Sequence, residues 1–450
     1  MSEKEKASFP RTFWAANTIE LFERAAFYAV ASFVVIYFHE TLGMRPALAT
    51  FLNGSLLWGL VYFLPILSGT LADKYGFKRS LSVSFVLIAL GYFVLGTVQK
   101  FWPGIIDAQA GQTIDYTVPV VMGILLIGIG GSIVKPCIAG TIQKTSGKNA
   151  TLGFGIFYMI INVGSMTGRG FSYFARINMG IPAIFTYVAS VFALIGLLVV
   201  LFVYKEPEFV SDGKKDGQEV KKKTLFGALS GIIIVLSNLK FIFFLVVIGF
   251  YWFIYVQIYN LIPLFLRYLD PNAPVEIYTL ANPIMIVCFQ LLITTLTKKW
   301  TPLKSMMVGV MVTTAGMLVN VLPILLFTDF TRKVSVLGIL FPIATIFVLL
   351  SFASMAVGEM LLASRQYQYI GAIAPKGQEG LYLGYANLPM AFGTLVGAPI
   401  GGFMFEYFVD TPARNGQPIH VLTMWILVAA MGIVSMVGLS IYNKFMVKSK

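Results

Sequence analysis

Long apolar segments alternate with short polar connections along the whole chain. A helix that crosses about 30 Å of hydrocarbon needs roughly 20 mostly apolar residues. Because the segments are continuously apolar and lack the period-two pattern of a membrane barrel strand, we expect helices. The sequence therefore predicts an all-α membrane protein with twelve transmembrane helices, over 12–38, 50–72, 80–99, 117–143, 150–174, 181–204, 240–268, 277–297, 303–327, 334–364, 379–407 and 419–443.

The longest polar stretch, Lys205 to Lys223, lies between the sixth and seventh predicted spans. It predicts an N-terminal six-helix bundle (1–204), a cytoplasmic linker (205–239) and a C-terminal six-helix bundle (240–450). Within the linker, Thr224 to Leu239 is predicted to be an amphipathic helix at the membrane surface. Two bundles joined in this way are typical of transporters that bind substrate near the bilayer midplane.

Composition supports a membrane protein, since only 12% of the 450 residues are charged and 57% are hydrophobic. Soluble domains carry roughly 25% charged residues. Disorder and a soluble enzyme are therefore excluded, and so is a disulfide scaffold, because the two cysteines both lie in apolar segments.

The net charge of +13 would fit a nucleic-acid partner, but its distribution argues for membrane topology instead. With twelve spans, 22 Lys and Arg residues fall on the side of the termini and 7 on the other. The positive-inside rule then predicts cytoplasmic termini in a plasma or bacterial inner membrane. We expect the lipid bilayer as a partner and no nucleic acid.

A few charged residues remain inside the predicted spans, where a charge is costly and is by default a functional candidate. Glu20, Glu23, Arg24 and Tyr28 share one face of the first helix. Two acids beside one base leave a carboxylate without a counter-ion unless Lys135 of the fourth span approaches. Such a cluster can couple proton uptake to a conformational change; the alternative is a static ion-pair group that only packs two helices.

Three further charges lie in or near spans. Glu359 is predicted to bind a cationic group of a substrate or to pair with a lysine as a gate, or else to face water without a specific partner. Arg169 and Arg365 lie nearer the predicted span ends, where long basic side chains reach the headgroups, and we expect that role for them.

Uncharged polar and aromatic residues complete the candidate pocket, with an interhelical hydrogen bond as an equal alternative for each. They are Tyr28, Tyr62, Asn162, Trp252, Gln257 and Asn282. In the loop Gly69 to Ser80, we predict a gating network of Asp73, Lys74 and Arg79, although the basic residues also serve topology. No HExxH, GxxxxGK[ST] or CxxC motif occurs, so we expect no enzyme activity, no metal and no cofactor.

Several motifs carry a family resemblance. G-T-L-A-D-K-Y-G-F-K-R-S (69–80) resembles the loop pattern of the major facilitator superfamily. E-L-F-E-R-A-A-F-Y (20–28) is similar to the ExxER motif of the proton-coupled oligopeptide transporters within it. V-K-P-C (134–137), F-Y-M-I-I-N-V-G-S (157–165), Y-W-F-I-Y-V-Q (251–257), A-N-P-I (281–284) and G-E-M (358–360) resemble later motifs of that family. One departure is M-T-G-R-G after the fifth-span motif, which introduces Arg169.

The resemblance implies the major facilitator fold and a set of residue roles. Glu20, Glu23, Arg24 and Lys135 would take part in proton coupling. Arg24 and Lys135 would face the carboxylate of a peptide, Glu359 and Asn162 would receive its amino terminus, and Tyr28 would line the pocket.

Together these observations predict a proton-coupled symporter that imports di- or tripeptides, or similar small zwitterions, by alternating access. We expect it to function as a monomer with the small-molecule substrate and protons as partners. The alternatives are a superfamily member for another solute, such as an organic anion or an exported compound, and a membrane receptor without transport.

Overall fold

The structure is a computed structural model. It describes residues 9–102, 115–207, 237–336, 338–375 and 385–447, together with positions 231, 235, 382 and 383. The predicted surface helix at Thr224 to Leu239 lies mostly outside the described residues, as does most of the linker.

Among the described residues, twelve helical segments occupy the positions of the twelve predicted spans, and we number them α1 to α12. The first, α1, has two parts, Arg11–Ala31 and Val34–Thr41, separated by a short break. The others are α2 (Pro46–Gly69), α3 (Phe77–Phe101), α4 (Thr117–Ser146), α5 (Ala150–Met179), α6 (Ile181–Phe202), α7 (Leu239–Leu269), α8 (Val275–Leu296), α9 (Pro302–Leu326), α10 (Ile343–Ile373), α11 (Leu388–Arg414) and α12 (Val421–Phe445). The last residues of α2 belong to the helix Pro65–Tyr75, which continues past Gly69.

The predicted fold class is confirmed. Among the described residues, ten helices are long and apolar enough to cross a membrane, and α1 qualifies if its two parts form one span. The remaining helix, α5, is 30 residues long and carries Arg169 and Arg176. Large apolar side chains also lie on the outer surface, as at Leu291 (82% exposed) and Phe202 (80%), which suits contact with lipid. The chain is therefore a multi-pass membrane protein.

The predicted start of the tenth span is wrong. Residues 334–342 do not begin a helix, because Lys333–Val336 (β1) and Ile339–Pro342 (β2) pair as an antiparallel hairpin. The preceding loop is set by Asp329, whose carboxylate accepts hydrogen bonds from the amide and hydroxyl of Thr331. These bonds hold the pKa of Asp329 below its usual value. The predicted span began nine residues too early because the hairpin strands, β2 above all, are apolar like a membrane helix.

The described chain forms two compact units. Unit 1 contains residues 1–30 and 64–229, and unit 2 contains 31–63 and 230–450. The second part of α1 and most of α2 thus pack within unit 2, while the predicted bundle boundaries at 204 and 240 stay a prediction. Within unit 1, Gly76 adopts a positive φ of 87° that turns the chain into α3.

The start of α3 is capped from the end of α6. The carboxylate of Glu206 accepts hydrogen bonds from the amides of Phe77 (2.6 Å) and Lys78 (2.9 Å). These are amides that a helix cannot satisfy internally, and a carboxylate is favourable there. This contact anchors the loop that was predicted to carry the gating residues.

Candidate functional site

The acidic face of α1 is buried in unit 1. Glu20 is fully buried, Glu23 is 4% exposed and Arg24 is 2% exposed. The guanidinium of Arg24 binds both oxygens of Glu23, with Nη2 donating to Oε1 at 2.6 Å, while its Nε lies 3.5 Å from Glu20 Oε1. Neither Glu20 oxygen has a hydrogen-bond partner among the described residues. The cluster is therefore asymmetric: the Glu23 carboxylate is hydrogen-bonded to Arg24, whereas the Glu20 carboxylate is held only by electrostatic attraction.

Lys135 of α4 completes this cluster, as the sequence predicts. Its ammonium interacts electrostatically with Glu20, Glu23 and Arg24. The next residue, Pro136, lies inside α4 and cannot donate the amide hydrogen bond that would normally reach Ser132. The hydroxyl of Ser68 donates to the Ser132 carbonyl instead, at 2.8 Å. The Ser132 carbonyl is therefore satisfied although Pro136, the residue after Lys135, has no amide hydrogen.

Small residues hold α5 close against α1. A Cβ on Gly164 would lie 2.7 Å from the Leu21 carbonyl oxygen, and one on Gly168 would lie 2.2 Å from that of Ala25. The hydroxyl of Ser172 donates to the carbonyl of Ala29 at 2.7 Å. Glycines spaced four apart let two membrane helices approach closely. This contact decides which face of α5 meets the charged cluster.

The expectation for Arg169 is wrong. Its side chain does not reach a headgroup, because it is only 1% exposed and lies against α1. The guanidinium stands 4.8 Å from the ring centroid of Tyr28, and Nη1 donates to the hydroxyl and carbonyl of Ser165. The guanidinium of Arg24 lies 5.9 Å from the centroid of the same ring. The helix α5 extends to Met179, five residues beyond its predicted end, so Arg169 is further from a helix end than expected.

Glu359 is the charged residue of the second site, in unit 2. Its Oε2 accepts hydrogen bonds from the Tyr255 hydroxyl (2.9 Å) and the Asn282 amide (3.1 Å). Among the described residues of unit 2, no cation pairs with it. Gly358 next to it packs α10 on α9, since a Cβ there would lie 1.9 Å from Thr313 Oγ1. The structure therefore joins the predicted Glu359 and Asn282 and adds Tyr255.

Trp252 packs against Tyr255, one of the two donors to Glu359, and a hydrogen bond to Gln366 fixes its indole ring. Its indole nitrogen donates to Gln366 Oε1 at 3.0 Å, and Gln366 in turn donates to the Ala386 carbonyl at 2.8 Å. The Trp252 and Tyr255 rings meet edge to face at 5.1 Å. Sequence reasoning missed Tyr255 and Gln366. Tyr255 could have been found from its place three residues after Trp252, on the same helical face.

Three predicted pocket residues make contacts within or between helices. The Asn162 amide donates to the Tyr158 carbonyl one turn earlier, at 3.0 Å. The Gln257 amide donates to the carbonyls of Phe253 (2.8 Å) and Gly397 (2.9 Å), which links α7 to α11. Tyr62, in unit 2, packs on the Trp58 ring at 5.9 Å. These contacts place Gln257 against α11 and Tyr62 beside Trp58.

Arg365 and the predicted gating residues are the remaining charged candidates. Arg365 donates to Gln368 and to the Thr297 carbonyl, and it lies well inside α10, since that helix ends at Ile373 and not at 364. Lys74 and Arg79 are exposed. The side chain of Asp73 lies outside the described residues. Among the residues that are described, no group of three His, Cys, Asp or Glu side chains could hold a metal ion.

A family model described as the Major Facilitator Superfamily matches residues 18–331 of this chain. The curated relatives include a dipeptide and tripeptide permease A of Klebsiella pneumoniae, 27% identical over 236 residues, which cover 51% of this chain and 43% of that relative. A permease of the same name from Cronobacter turicensis is 30% identical over 160 residues, which cover 35% and 29%. The matched region thus spans less than half the length of these relatives.

Solved structures of similar fold cover nearly the whole chain. A peptide transporter POT in complex with alafosfalin aligns with a TM-score of 0.72 at 18% identity, over 97% of this chain and 96% of that one. A POT family transporter in complex with 5-aminolevulinic acid aligns with a TM-score of 0.70 at 17% identity, over 96% and 97%. At this identity the likeness shows a shared fold.

Proposed function

This chain belongs to the Major Facilitator Superfamily, and from that premise we propose that it is a proton-coupled symporter that imports di- or tripeptides or similar small zwitterions by alternating access. The predicted resemblance to the proton-coupled oligopeptide transporters within the superfamily is confirmed by the permeases and transporter structures that it matches. The substrate, the coupling to protons and the monomeric state are all part of this proposal.

One observation carries the proposal: in unit 1 the buried Glu20, Glu23 and Arg24 interact with a second cation, the half-buried Lys135. Glu23 holds Arg24 through two hydrogen bonds, whereas Glu20 has no hydrogen-bond donor among the described residues. When a proton neutralises one of the acids, the attraction on Arg24 and Lys135 falls. These cations then become available to a substrate carboxylate, and proton uptake favours substrate binding.

Glu359 supplies the opposite charge. Neutral donors, the Tyr255 hydroxyl and the Asn282 amide, orient its carboxylate without neutralising it. A carboxylate oriented in this way, with no cation paired to it among the described residues of unit 2, is proposed to receive an ammonium group. A zwitterion requires cations for its carboxylate and an acid for its ammonium group, and the chain provides both kinds of residue. Asn162 is proposed to help receive the amino terminus, and Trp252 to form an apolar wall beside it.

Other predicted roles remain proposals. The Tyr28 ring lies within 6 Å of two guanidinium groups, those of Arg24 and Arg169, and is proposed to contact substrate. Asp73, Lys74 and Arg79 are proposed as a cytoplasmic gate, next to the point where Glu206 anchors the start of α3. Both termini are proposed to be cytoplasmic.

The experiment is a flux assay on purified protein in liposomes with an imposed pH gradient and a dye that reports internal pH. We expect labelled dialanine to accumulate only when the gradient drives protons inward, with internal acidification that follows the peptide. Flux of a tracer that peptides do not compete with would indicate a transporter for another solute. Absence of flux for a panel of peptides, amino acids and organic anions would instead favour a receptor.

A further inference from the structure

A histidine near the end of α1 joins this helix to the end of α11, within unit 2. The Nε2 atom of His39 lies 3.6 Å from Asp410 Oδ1 and 3.3 Å from Nη2 of Arg414. The Nε of Arg414 donates to the same Asp410 oxygen at 3.0 Å. One carboxylate oxygen therefore attracts both an imidazole and a guanidinium, and none of these three residues has a role in the proposed transport step.

The other nitrogen of the imidazole decides where a proton can bind. The Nδ1 atom of His39 lies 2.8 Å from the Met44 carbonyl oxygen. A carbonyl oxygen only accepts hydrogen bonds, so Nδ1 carries a hydrogen and donates it. In the neutral ring, Nε2 then has a lone pair that accepts from the Arg414 guanidinium. The atom that takes up a proton is therefore Nε2.

A proton on Nε2 changes the partner of that nitrogen. Both nitrogens of a charged imidazole are donors, so Nε2 turns from Arg414 to the carboxylate of Asp410 and forms a charge-assisted contact. The charged ring also repels Arg414. The attraction is the larger effect, because the Asp410 side chain is only 16% exposed whereas that of Arg414 is 64% exposed and is better screened by water. Protonation of His39 therefore strengthens the contact between α1 and α11.

The other charged groups around the histidine have partners of their own. Arg45, directly before α2, lies 3.8 Å from the carboxylate of Glu406 on α11. Arg267 of α7 binds Glu40, the residue after the histidine. The second histidine of the chain, His420, is exposed and precedes α12. Asp410 is thus the carboxylate that faces the protonated ring among the described residues of unit 2.

Water has room to reach this group. A cavity of about 170 Å³ adjoins it, and its lining includes Met44, Asp410 and Arg414. We propose that His39 is a proton-binding site separate from the acidic cluster of unit 1, and that a proton on its Nε2 stabilises the contact between the second part of α1 and α11. The inference goes beyond the proposed function. It rests on that function only for the side from which the proton arrives, which is the outside if both termini are cytoplasmic.

The test is amide hydrogen exchange over residues 34–44, measured by mass spectrometry on the protein in liposomes. It would be done at about pH 5.5 and about pH 8, on either side of the range in which a histidine titrates, and corrected for the intrinsic pH dependence of exchange. We expect about tenfold greater protection at the lower pH, as one charge-assisted hydrogen bond provides. In His39→Gln the protection should be equal at the two pH values. The matched control is His420→Gln, which removes the other histidine and should keep the tenfold difference.

Two further variants identify the partner of the proton. Asp410→Asn keeps the shape of the acid but removes its charge. It should abolish the difference, and it serves if His39→Gln does not fold. Arg414→Gln should keep the difference, because the guanidinium does not accept the proton's hydrogen bond. Equal protection of the natural protein at both pH values would overturn the proposal, and so would a difference that persists in His39→Gln or in Asp410→Asn.

This measurement does not depend on flux. If no peptide is transported in the liposome assay, the proposed function fails, and hydrogen exchange still decides whether His39 binds a proton that holds α1 on α11.

Discussion

The two candidate sites handle a buried carboxylate in opposite ways. In unit 1, Glu20 and Glu23 are held by charged neighbours, with Arg24 bound directly to Glu23. In unit 2, Glu359 is held by a hydroxyl and an amide. Protonation of an acid weakens its attraction to a charged partner, so that partner can move. Neutral donors such as a hydroxyl or an amide only orient the carboxylate. The first region is therefore suited to coupling and the second to recognition.

The largest effect is expected from Glu23→Gln in the first region. Losing the charge that holds Arg24 should abolish accumulation against a gradient, while exchange of labelled for unlabelled peptide across the membrane survives. Both would be measured in the same liposomes. The matched control is Glu40→Gln, an exposed acid of α1 that pairs with Arg267. Full proton-driven accumulation by Glu23→Gln would refute the coupling role.

A smaller effect is expected from Glu359→Ala in the second region. Loss of a charge-assisted contact should raise the KM for peptides with a free amino group by about 10- to 100-fold. N-acetylated peptides should be nearly unaffected, and they serve as the internal control. If both kinds of peptide lose affinity equally, Glu359 does not recognise the amino group.

The helix contact beneath the first region provides a stability test. Alanine at Gly168 would bring a Cβ within 2.2 Å of a backbone oxygen, so the two helices must separate. We expect Gly168→Ala to lose about 2 kcal/mol of stability, seen as a lower melting temperature in detergent. Alanine at Gly170 meets nothing within 4 Å and should melt like the natural protein. Identical melting of the two variants would show that α5 does not pack on α1 in this way.

The smallest effect is expected from Tyr255→Phe, which removes one neutral donor from Glu359. The KM for free-amine peptides should rise about fivefold, in line with a single hydrogen bond, while the proton coupling ratio stays constant. A change in that ratio would mean that the second region also takes part in coupling, and the contrast between the two sites would fail.

Much of the first site could be predicted because helical spacing alone places Glu20, Glu23, Arg24 and Tyr28 on one face. Lys135 could be added because a buried acid requires a cation. Arg169 could not be predicted, since its burial depends on Gly164 and Gly168 meeting a particular part of α1. Gln257 shows the same limit: its amide is bonded to the Gly397 carbonyl, and only packing reveals that partner.

The sequence by itself determined the membrane fold, the number of helices and the presence of charges that the bilayer interior tolerates only for a reason. Hydrophobic length and helical periodicity are local properties, and they can be counted along a chain. Tertiary structure decided which neutral groups orient Glu359 and that Arg169 packs on the same aromatic ring as Arg24. Those contacts join residues from different helices, and their geometry depends on where small side chains allow two backbones to approach.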